Sequence, residues 1–305
     1  GRPVFPRRRR LRVPRRAATA TIAEAARQWG VLVRRSIAVK VADAWASTVL
    51  LAQAPLIALL VVLVFGSRAS GTVDAASWAD SAKALATTTF VMAVAAIWFG
   101  CSNAAREIVA EFPIYRRERM VGVSPVAYLA SKVVVLALLC AAQCAALLLV
   151  VRAGCDLRLP WAAGFGILFL AANAAVAIGL CVSAAVRSAE AAAGLLPLVL
   201  LPMVILGGIL LPLPEMPAPV AAFADAMPSR WAFEGLLTAE CDRRPVLERP
   251  AADDPTRRDV VDMAEHWFPA DGWRSSRETP AWMLAAIWLC GLLALRSLLA
   301  ARERG

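Results

Sequence analysis

The sequence predicts an all-α membrane protein, and three observations support this fold class. Hydrophobic residues make up 60% of the 305 residues, and the mean hydropathy is +0.62, whereas soluble domains are about half apolar. The apolar residues occur in blocks of about 20, the length at which a helix crosses a bilayer. Much of the net charge of +10 lies between these blocks, where basic residues determine the topology of a membrane protein.

Residues 1–20 are predicted to form a basic linker from an upstream cytoplasmic domain. The segment begins GRPVFPRRRRLRVPRR, and a run so rich in arginine and proline cannot bury a core of its own. It starts at Gly1 rather than at a methionine, so we expect another domain to precede it. Because no aromatic residues alternate with the arginines, the segment lacks a base-stacking surface, and we expect no nucleic-acid partner.

Residues 21–43 predict an amphipathic helix that connects this linker to the membrane domain. Apolar side chains recur at helical spacing; they are Trp29, Leu32, Val33, Ile37 and Val41. Arg34, Arg35 and Lys40 lie off this stripe. Such a helix suits the interface between membrane and water, just before the first span.

Residues 44–305 are predicted to form a domain of six transmembrane helices. Each helix satisfies its own backbone polar groups, as lipid requires. The predicted spans are residues 44–65, 84–104, 126–151, 161–186, 191–211 and 281–300. Pro197 and Pro202 are expected to kink the fifth span. Lys132, near one end of the third span, is expected to extend its amine toward the interface.

Short loops give the orientation, because basic residues concentrate on the cytoplasmic side. With six spans, the basic clusters before span one, between spans two and three, and after span six all fall on one side. Both termini are therefore predicted to be cytoplasmic. Residues 212–280 are then a long external loop. Its basic residues do not bear on the orientation, because long loops cross the membrane regardless of their charge.

The predicted spans contain no carboxylate or histidine near their centres, and this argues against several classes of function. Proton relays use such groups, so an ion-coupled carrier is disfavoured, although sodium sites made of backbone carbonyls stay open. The spans also lack the catalytic residues that an intramembrane protease needs, since the one histidine, His266, lies in the external loop. No HExxH and no GxxxxGK[ST] run occurs. We therefore expect no catalytic site, metal or cofactor in this chain.

The polar run between spans two and three, which starts at Glu111, predicts a short cytoplasmic coupling helix. Pro113 suits the first turn of a helix, and Glu111 on its N-terminal side matches the helix dipole. The exposed turns would carry Arg116, Arg117, Glu118 and Arg119. A partner that docks on them would move both neighbouring spans.

The seven cysteines show no metal-binding spacing. Five of them fall in predicted spans and are expected to act as small apolar side chains. Cys155 and Cys241 are both predicted to be external, where oxidation is possible. A disulfide between them and two free thiols both stay open, since the sequence does not fix the distance between their Cα atoms.

Three segments resemble type 2 ABC exporter permeases, especially the G-subfamily or White-type half transporters and their bacterial relatives with a fused ATP-binding cassette. EFPIYRRERMVGVSPVAYLASKVVV resembles the coupling segment, through Glu111, Arg117-Glu118 and Tyr128. GGILLPLPEMPAPVAAFADAMPSRWAFEGLL resembles the end of the fifth span with its re-entrant helices. Its matching residues are Leu210-Leu211, Pro228, Arg230, Trp231, Ala232 and Phe233. RQWGVLVRRSIAVKVAD resembles the connecting helix.

The resemblance implies a homodimer of six-span halves in the cell membrane, a bacterial inner membrane. ATP and Mg would bind to a cassette that is fused upstream or is a separate subunit. The coupling residues would be Glu111, Tyr115, Arg116, Arg117, Glu118 and Arg119. Substrate would pass between spans two and five, lined by Phe90, Trp98, Asn103, Met203, Val204 and Leu206. Leu210 and Leu211 would form an outer gate.

The expected function is that of the permease part of an ATP-driven exporter that works by alternating access. An uncharged cavity suits a lipid-like or hydrophobic substrate, because polar groups are costly to bury unpaired. Two alternatives stay open. One is a membrane scaffold or sensor that does not transport, and the other is an ion-coupled secondary carrier.

Overall fold

The computed structural model describes residues 22–69, 78–250, 258–270 and 272–304. Within these ranges the chain forms ten α-helices and one two-stranded antiparallel ribbon. The predicted basic linker, residues 1–20, lies outside the described residues. Helices dominate the described part of the chain, as the predicted fold class requires.

Two helices open the described chain. α1 spans Ile22–Ala42 and occupies the segment predicted as the connecting helix. Glu24 in its first turn and Lys40 in its last turn both carry the sign of charge that the helix dipole favours. α2 spans Ala44–Ala69 and is apolar along most of its length. The placement of α1 at a membrane surface stays a prediction.

α3 (Trp78–Ala104) and α4 (Glu107–Met120) follow each other with only Ala105 and Arg106 between them. The prediction that Pro113 lies in the first turn of the coupling helix is wrong, because α4 begins at Glu107 and holds this proline in its interior. An interior proline removes one helical hydrogen bond. The helix nevertheless extends further toward its N-terminus, where its first amide groups find an acceptor on another helix, as described below.

α5 spans Pro125–Gly154, α6 spans Trp161–Ala185 and α7 spans Ala189–Ile205. The first two cover the predicted third and fourth spans. α7 ends earlier than the predicted fifth span, residues 191–211. Beyond α7 the chain turns, and Gly208 adopts a φ of +95°, a left-handed conformation that glycine accepts without a steric cost.

The segment between α7 and the last helix, α10 (Thr279–Arg304), contains short elements. They are a 3-10 turn at Leu213–Glu215, α8 (Ala218–Asp225), α9 (Pro228–Cys241), β1 (Leu247–Pro250) and β2 (Arg258–Val261). The strands pair with Leu247 opposite Val261, and they lie in the segment that is predicted to be an external loop with re-entrant helices. α9 is buried over most of its length, against α3, α6 and α10.

Five stretches of described helix are long and apolar enough to cross a membrane. They are Ser47–Gly66, Trp78–Met120, Pro125–Gly154, Trp161–Ala185 and Thr279–Glu303. α7 is also apolar but has only 17 residues, about 25 Å of helix at 1.5 Å per residue. The predicted α-helical membrane fold with five to six apolar spans is therefore confirmed, and the short β1–β2 ribbon is an addition to it.

Small residues hold α3 and α6 close together at the centre of the bundle. A Cβ atom added to Gly100 of α3 would lie 2.1 Å from the carbonyl oxygen of Ala172 and 2.8 Å from Cβ of Ala175, both in α6. In a membrane, apolar side chains contact lipid as favourably as they contact another helix. Close van der Waals packing between helices therefore provides much of the energy of their association. α3 and α6 therefore form one tightly packed pair.

Replacing Gly100 with valine is expected to force these helices apart and to destabilise the fold by about 1–3 kcal/mol, the usual range for overpacking. Melting of the purified protein in detergent, followed by tryptophan fluorescence, measures the effect. Gly166→Ala in α6 is the control, because a Cβ there meets nothing within 4 Å. Equal melting temperatures for Gly100→Val and the wild type would contradict the close packing.

Candidate functional site

The N-terminus of α4 is capped by a side chain from α6. Ser183 Oγ accepts hydrogen bonds from the backbone N–H groups of Ile108 and Val109, each at 3.0 Å. Arg106, at the N-cap position, makes no capping bond with its own side chain. The hydroxyl of Ser183 thus satisfies two amides that a helix start leaves unpaired, and it fixes α4 to α6.

A buried lysine of α5 holds α4 from a second side. The side chain of Lys132 is only 3% exposed, and its Nζ lies 2.6 Å from Oε1 of Glu111 and 3.1 Å from Oε2 of Glu107. This differs from the expected extension toward water. A buried ammonium group is tolerated only when it is paired, and α4 supplies both carboxylates.

α1 contributes two further ion pairs to the same region. Lys40 pairs with Glu107, and Arg35 pairs with Glu118. We call this set of three bases and three acids the α4 network; its members are Arg35, Lys40, Glu107, Glu111, Glu118 and Lys132. The formal charges cancel within the network, and the pairs tie α1, α4 and α5 together.

A hydrogen bond outside the network also joins α1 to α5. The side-chain oxygen Oε1 of Gln28 accepts from the backbone N–H of Ser124, the N-cap residue of α5, at 3.0 Å. α1 therefore contacts the chain on both sides of the turn that separates α4 from α5.

α4 is also tied to the end of α10. The hydroxyl of Tyr115 donates to Glu303, and Arg119 Nε lies 3.6 Å from the same carboxylate. The ring of Tyr115 packs on that of Tyr128 in α5, with 4.4 Å between centroids. This tyrosine is buried, so it acts inside the bundle rather than on the exposed surface of α4.

Arg302 completes the attachment of α10. Its guanidinium group lies 4.1 Å from the ring centroid of Phe112 in α4. Its Nη1 donates to the carbonyl oxygens of Ser183 and Ala184, at 3.1 and 3.0 Å, near the end of α6. A cation at this position also matches the negative end of the α6 dipole.

The predicted coupling residues therefore divide into two groups. Glu111, Glu118 and Tyr115 hold neighbouring helices, as does Arg119, which is also exposed. Arg116 and Arg117 are exposed, and no side-chain partner for them occurs among the described residues. A cleft of about 300 Å³ lies beside them, lined by Phe112, Tyr115, Arg116, Arg119, Met120 and Glu303.

Three of the predicted cavity residues pack inside the chain itself. Phe90 is buried, with its ring edge-on to that of Phe233 at 5.3 Å. Asn103 is buried, and its Nδ2 donates to Oε1 of Gln143 at 2.7 Å. Met203 is 5% exposed. Within one copy of the chain, these side chains are part of the bundle interior, and Asn103 also lines a small polar cavity.

The other three predicted cavity residues are less buried. Trp98 is 41% exposed, while Val204 and Leu206 are half-buried. From residue 84 to residue 104 of α3, the side chains that keep some exposure recur every three or four residues. They are Thr87, Val91, Val94, Trp98 and Ser102. This spacing places them on one face of the helix, which we call the α3 stripe.

A polar cavity connects the α4 network to the end of the α3 stripe. It holds about 210 Å³ and is lined by Lys40, Leu50, Ser102, Asn103, Arg106, Glu107, Ala110 and Glu111. Asn103 Oδ1 is buried without a hydrogen-bond partner. Its partner Gln143 donates in turn to the carbonyl oxygen of Leu50 in α2, at 2.7 Å. The α4 network therefore borders directly on α2 and α3.

The predicted gate residues lie past the end of α7 rather than within a span. Leu210 is 68% exposed and Leu211 is 37% exposed. Leu210 borders a cavity of about 620 Å³ between the start of α3 and the segment after β2. Their role as a gate stays a prediction.

Cys155 and Cys241, for which the sequence left a disulfide and two free thiols open, are both free and buried. Burial raises the pKa of each thiol, so both stay protonated and poorly reactive at neutral pH. Among the described residues, no group of histidine, cysteine and acidic side chains is arranged to hold a metal ion.

The apolar helices and the charged helix α4 define a multi-pass membrane protein. The family model described as ABC-2 type transporter matches residues 27–241, and the chain belongs to this family. It is therefore a transmembrane permease component of an ABC transporter, a class that works with an ATP-binding cassette partner. A comparison with curated proteins finds no match. The predicted resemblance is confirmed at the level of the ABC-2 permease; the relation to G-subfamily transporters stays a prediction.

Replacing Lys132 with methionine should strongly destabilise the protein. The substitution removes the buried cation and leaves Glu111 without its partner; breaking a buried pair in this way costs about 3–5 kcal/mol. Thermal melting in detergent measures the loss. Adding Glu111→Gln should restore part of it, while Arg117→Met, an exposed site, should change little. If Lys132→Met and Arg117→Met melt alike, the network does not stabilise the fold.

Replacing Ser183 with alanine should loosen the start of α4. The loss of a helix cap costs about 1 kcal/mol, which corresponds to about fivefold faster amide hydrogen exchange. Exchange of the peptide that covers residues 107–112 measures the change. Ser102→Ala is the control, because the Ser102 hydroxyl bonds only within α3. Unchanged exchange in Ser183→Ala would show that the cap is not needed.

Proposed function

We propose that this chain is one half of a homodimeric ABC exporter, energised by an ATP-binding cassette that docks on α4. One observation carries the proposal. Side chains of α4 fasten it to α1, α5 and α10, and its first backbone N–H groups fasten it to α6, while Arg116 and Arg117 stay exposed. A helix attached in this way passes a push from outside to four other helices. The cassette is either fused upstream or a separate subunit.

The proposed topology puts α4 and both termini in the cytoplasm. The segment between α7 and α10 then lies on the outside of the cell. Basic residues support it, because Arg106, Arg187 and Arg302 all belong to the α4 end of the bundle. With this topology a cytoplasmic ATPase reaches α4 directly. A bacterial inner membrane is the expected location.

The proposed movement follows the attachments of α4. Closure of the cassettes on ATP would press on the exposed arginines and shift α4 as a unit, because the ion pairs of the α4 network resist its separation from α1 and α5. α3 would move with α4, since only Ala105 and Arg106 separate them. The inner ends of several spans would then rearrange together, which is what alternating access requires.

A second copy of the chain is proposed to cover α7. Of the 17 residues in α7, only Ala192, Leu200 and Met203 are buried, so most of this apolar helix lies free on the side of the bundle. At about 25 Å it is also shorter than the hydrocarbon core of about 30 Å. A partner copy would shield its backbone better than lipid alone.

The α3 stripe is the proposed substrate-facing surface. Three of its members are apolar, and the two others, Thr87 and Ser102, bond through their hydroxyls to carbonyl oxygens of their own helix. The stripe thus offers apolar contact and one aromatic ring, Trp98, without a charge. This chemistry favours a lipid-like or hydrophobic substrate, which would leave in the outward direction.

Measurements of ATPase activity and transport separate the two alternative functions from an exporter. A scaffold or sensor would bind a cassette without substrate-dependent turnover, and an ion-coupled carrier would transport without any ATPase. The full charge pairing in the α4 network argues against the carrier, because a proton-coupled site needs a carboxylate that can change its charge at a moderate cost.

Reversing the charge of the exposed arginines should uncouple the transporter. The variant Arg116→Glu/Arg117→Glu, reconstituted in nanodiscs with the cassette, should lose most substrate-stimulated ATPase activity, because docking charges on α4 are inverted. Gel filtration should show unchanged insertion and dimerisation, since neither side chain is used within the fold. Arg158→Glu, at the other end of the bundle, is the matched control.

Two results would count against the proposal. Normal stimulation in the double variant would mean that α4 does not receive the force, as expected for a scaffold. Transport that continues without the cassette but stops when the proton gradient is collapsed would identify an ion-coupled carrier.

A further inference from the structure

A cleft that the proposed cycle does not use lies at the end of the bundle opposite α4. It holds about 370 Å³ and is formed by the start of α6, the end of α9 and the residues before α10. The residues that line it are Pro160, Ala163, Ile167, Gly235, Thr238, Ala239, Asp242, Arg243 and Arg277. Its volume is within the range of small-molecule sites in proteins.

The floor of the cleft is apolar. Ala163, Ile167 and Gly235 carry no polar side-chain atom, and the hydroxyl of Thr238 donates to the carbonyl oxygen of Glu234 at 2.7 Å, within its own helix. A Cβ on Gly235 would lie 2.9 Å from Cδ1 of Ile167, so the glycine keeps α9 close to α6. The floor therefore offers hydrocarbon contact and little hydrogen bonding.

The rim of the cleft carries an excess of positive charge. Arg277 pairs with Asp242 at 2.7 Å, yet its side chain is 80% exposed. Arg243 is exposed, and no partner for its side chain occurs in the part of the chain that the structure describes. Two guanidinium groups thus face one carboxylate. α6 and α10 also begin at this rim, without acidic residues in their first turns.

The walls of the cleft are fixed by a buried ion pair. Glu240 of α9 accepts from the backbone N–H groups of Arg158 and Leu159, at 2.7 and 2.6 Å, and pairs with Arg244 at 2.7 Å. Arg244 also donates to the carbonyl oxygen of Asp156 at 2.6 Å. These bonds hold the end of α9 against the loop before α6, so the cleft is already formed without a ligand.

The residues around the cleft predict a position where a span meets the membrane surface. Trp161 begins α6, with the guanidinium group of Arg152 5.3 Å from its ring, and tryptophan is enriched at the level of lipid headgroups. Ile167 follows six residues later, about 9 Å deeper along the helix. We therefore expect the arginine rim at headgroup level and the floor at the level of the acyl chains.

We propose that this cleft binds an anionic phospholipid from the leaflet on the α9 side. The phosphate group would bond to Arg243 and Arg277, since guanidinium groups bind phosphate through paired hydrogen bonds. An acyl chain would lie along Ala163 and Ile167. The net positive rim favours an anionic headgroup over a zwitterionic one, and the apolar floor favours a lipid over free phosphate. The site is independent of substrate passage and of the cassette.

Native mass spectrometry of the purified full chain tests the proposal. Protein released from micelles that contain equal phosphatidylglycerol and phosphatidylethanolamine should retain phosphatidylglycerol. Arg243→Gln/Arg277→Gln should retain about tenfold less, given the strength of charge-assisted hydrogen bonds. Ala163→Phe, which fills the floor and keeps both arginines, should show a similar loss. The matched controls are Arg158→Gln, which removes an exposed charge outside the cleft, and Ala162→Phe, at an exposed neighbouring position.

Three results would overturn the assignment. Equal retention of phosphatidylglycerol by all variants would place the lipid elsewhere. Equal retention of both lipids by the wild type would mean that the rim does not select an anionic headgroup. Displacement of the lipid by millimolar inorganic phosphate, together with no effect of Ala163→Phe, would identify a phosphate site rather than a lipid site. Melting curves of each variant check that the fold is retained.

Discussion

The buried ammonium group of Lys132 is the constraint on which the α4 end of the molecule depends. A lysine side chain that is 3% exposed needs compensating charge, because the cost of taking an ion out of water exceeds what packing can return. Glu107 and Glu111 of α4 provide that charge, so the helix has to lie against α5. Lys40 then pairs with Glu107 in turn, and this brings α1 to the same place. One buried charge thus determines how three helices meet.

The same constraint supports the proposed role of α4 in the transfer of force. Its acidic residues face the bundle and are held by several partners, whereas Arg116 and Arg117 face away and stay free to meet another protein. Ion pairs in a poorly hydrated setting are stronger than those in water, and each pair in the α4 network reaches a different helix or a different turn. In the proposed cycle, force applied at the exposed arginines would therefore distribute over α1, α5, α6 and α10 rather than unfold α4 alone.

The sequence predicts the spans well, because long apolar runs and basic loops are local signals. It also identifies the charged helix between spans two and three. It misses Lys132 as the centre of the network and Ser183 as the cap of α4, because both act on residues far away in the chain and no local pattern marks them. Pro113 misleads for the opposite reason: its strong local preference for a helix start is overridden by the tertiary cap. The cavity residues divide as they do because hydropathy does not show which face of an apolar helix is buried.

The packing of the helices indicates where the bundle can change shape. α3 and α6 approach so closely at Gly100 that neither can slide without a clash between Ala172 and the backbone of α3, and densely packed helices move as rigid units. α7 has few buried side chains, so its position depends on whatever covers it outside the chain. A cycle driven through α4 would then keep α3 and α6 together and would open and close at the surfaces of α7 and the α3 stripe. The cleft between α6, α9 and α10 borders the rigid part, so the lipid proposed to bind there would brace the bundle without blocking the proposed passage.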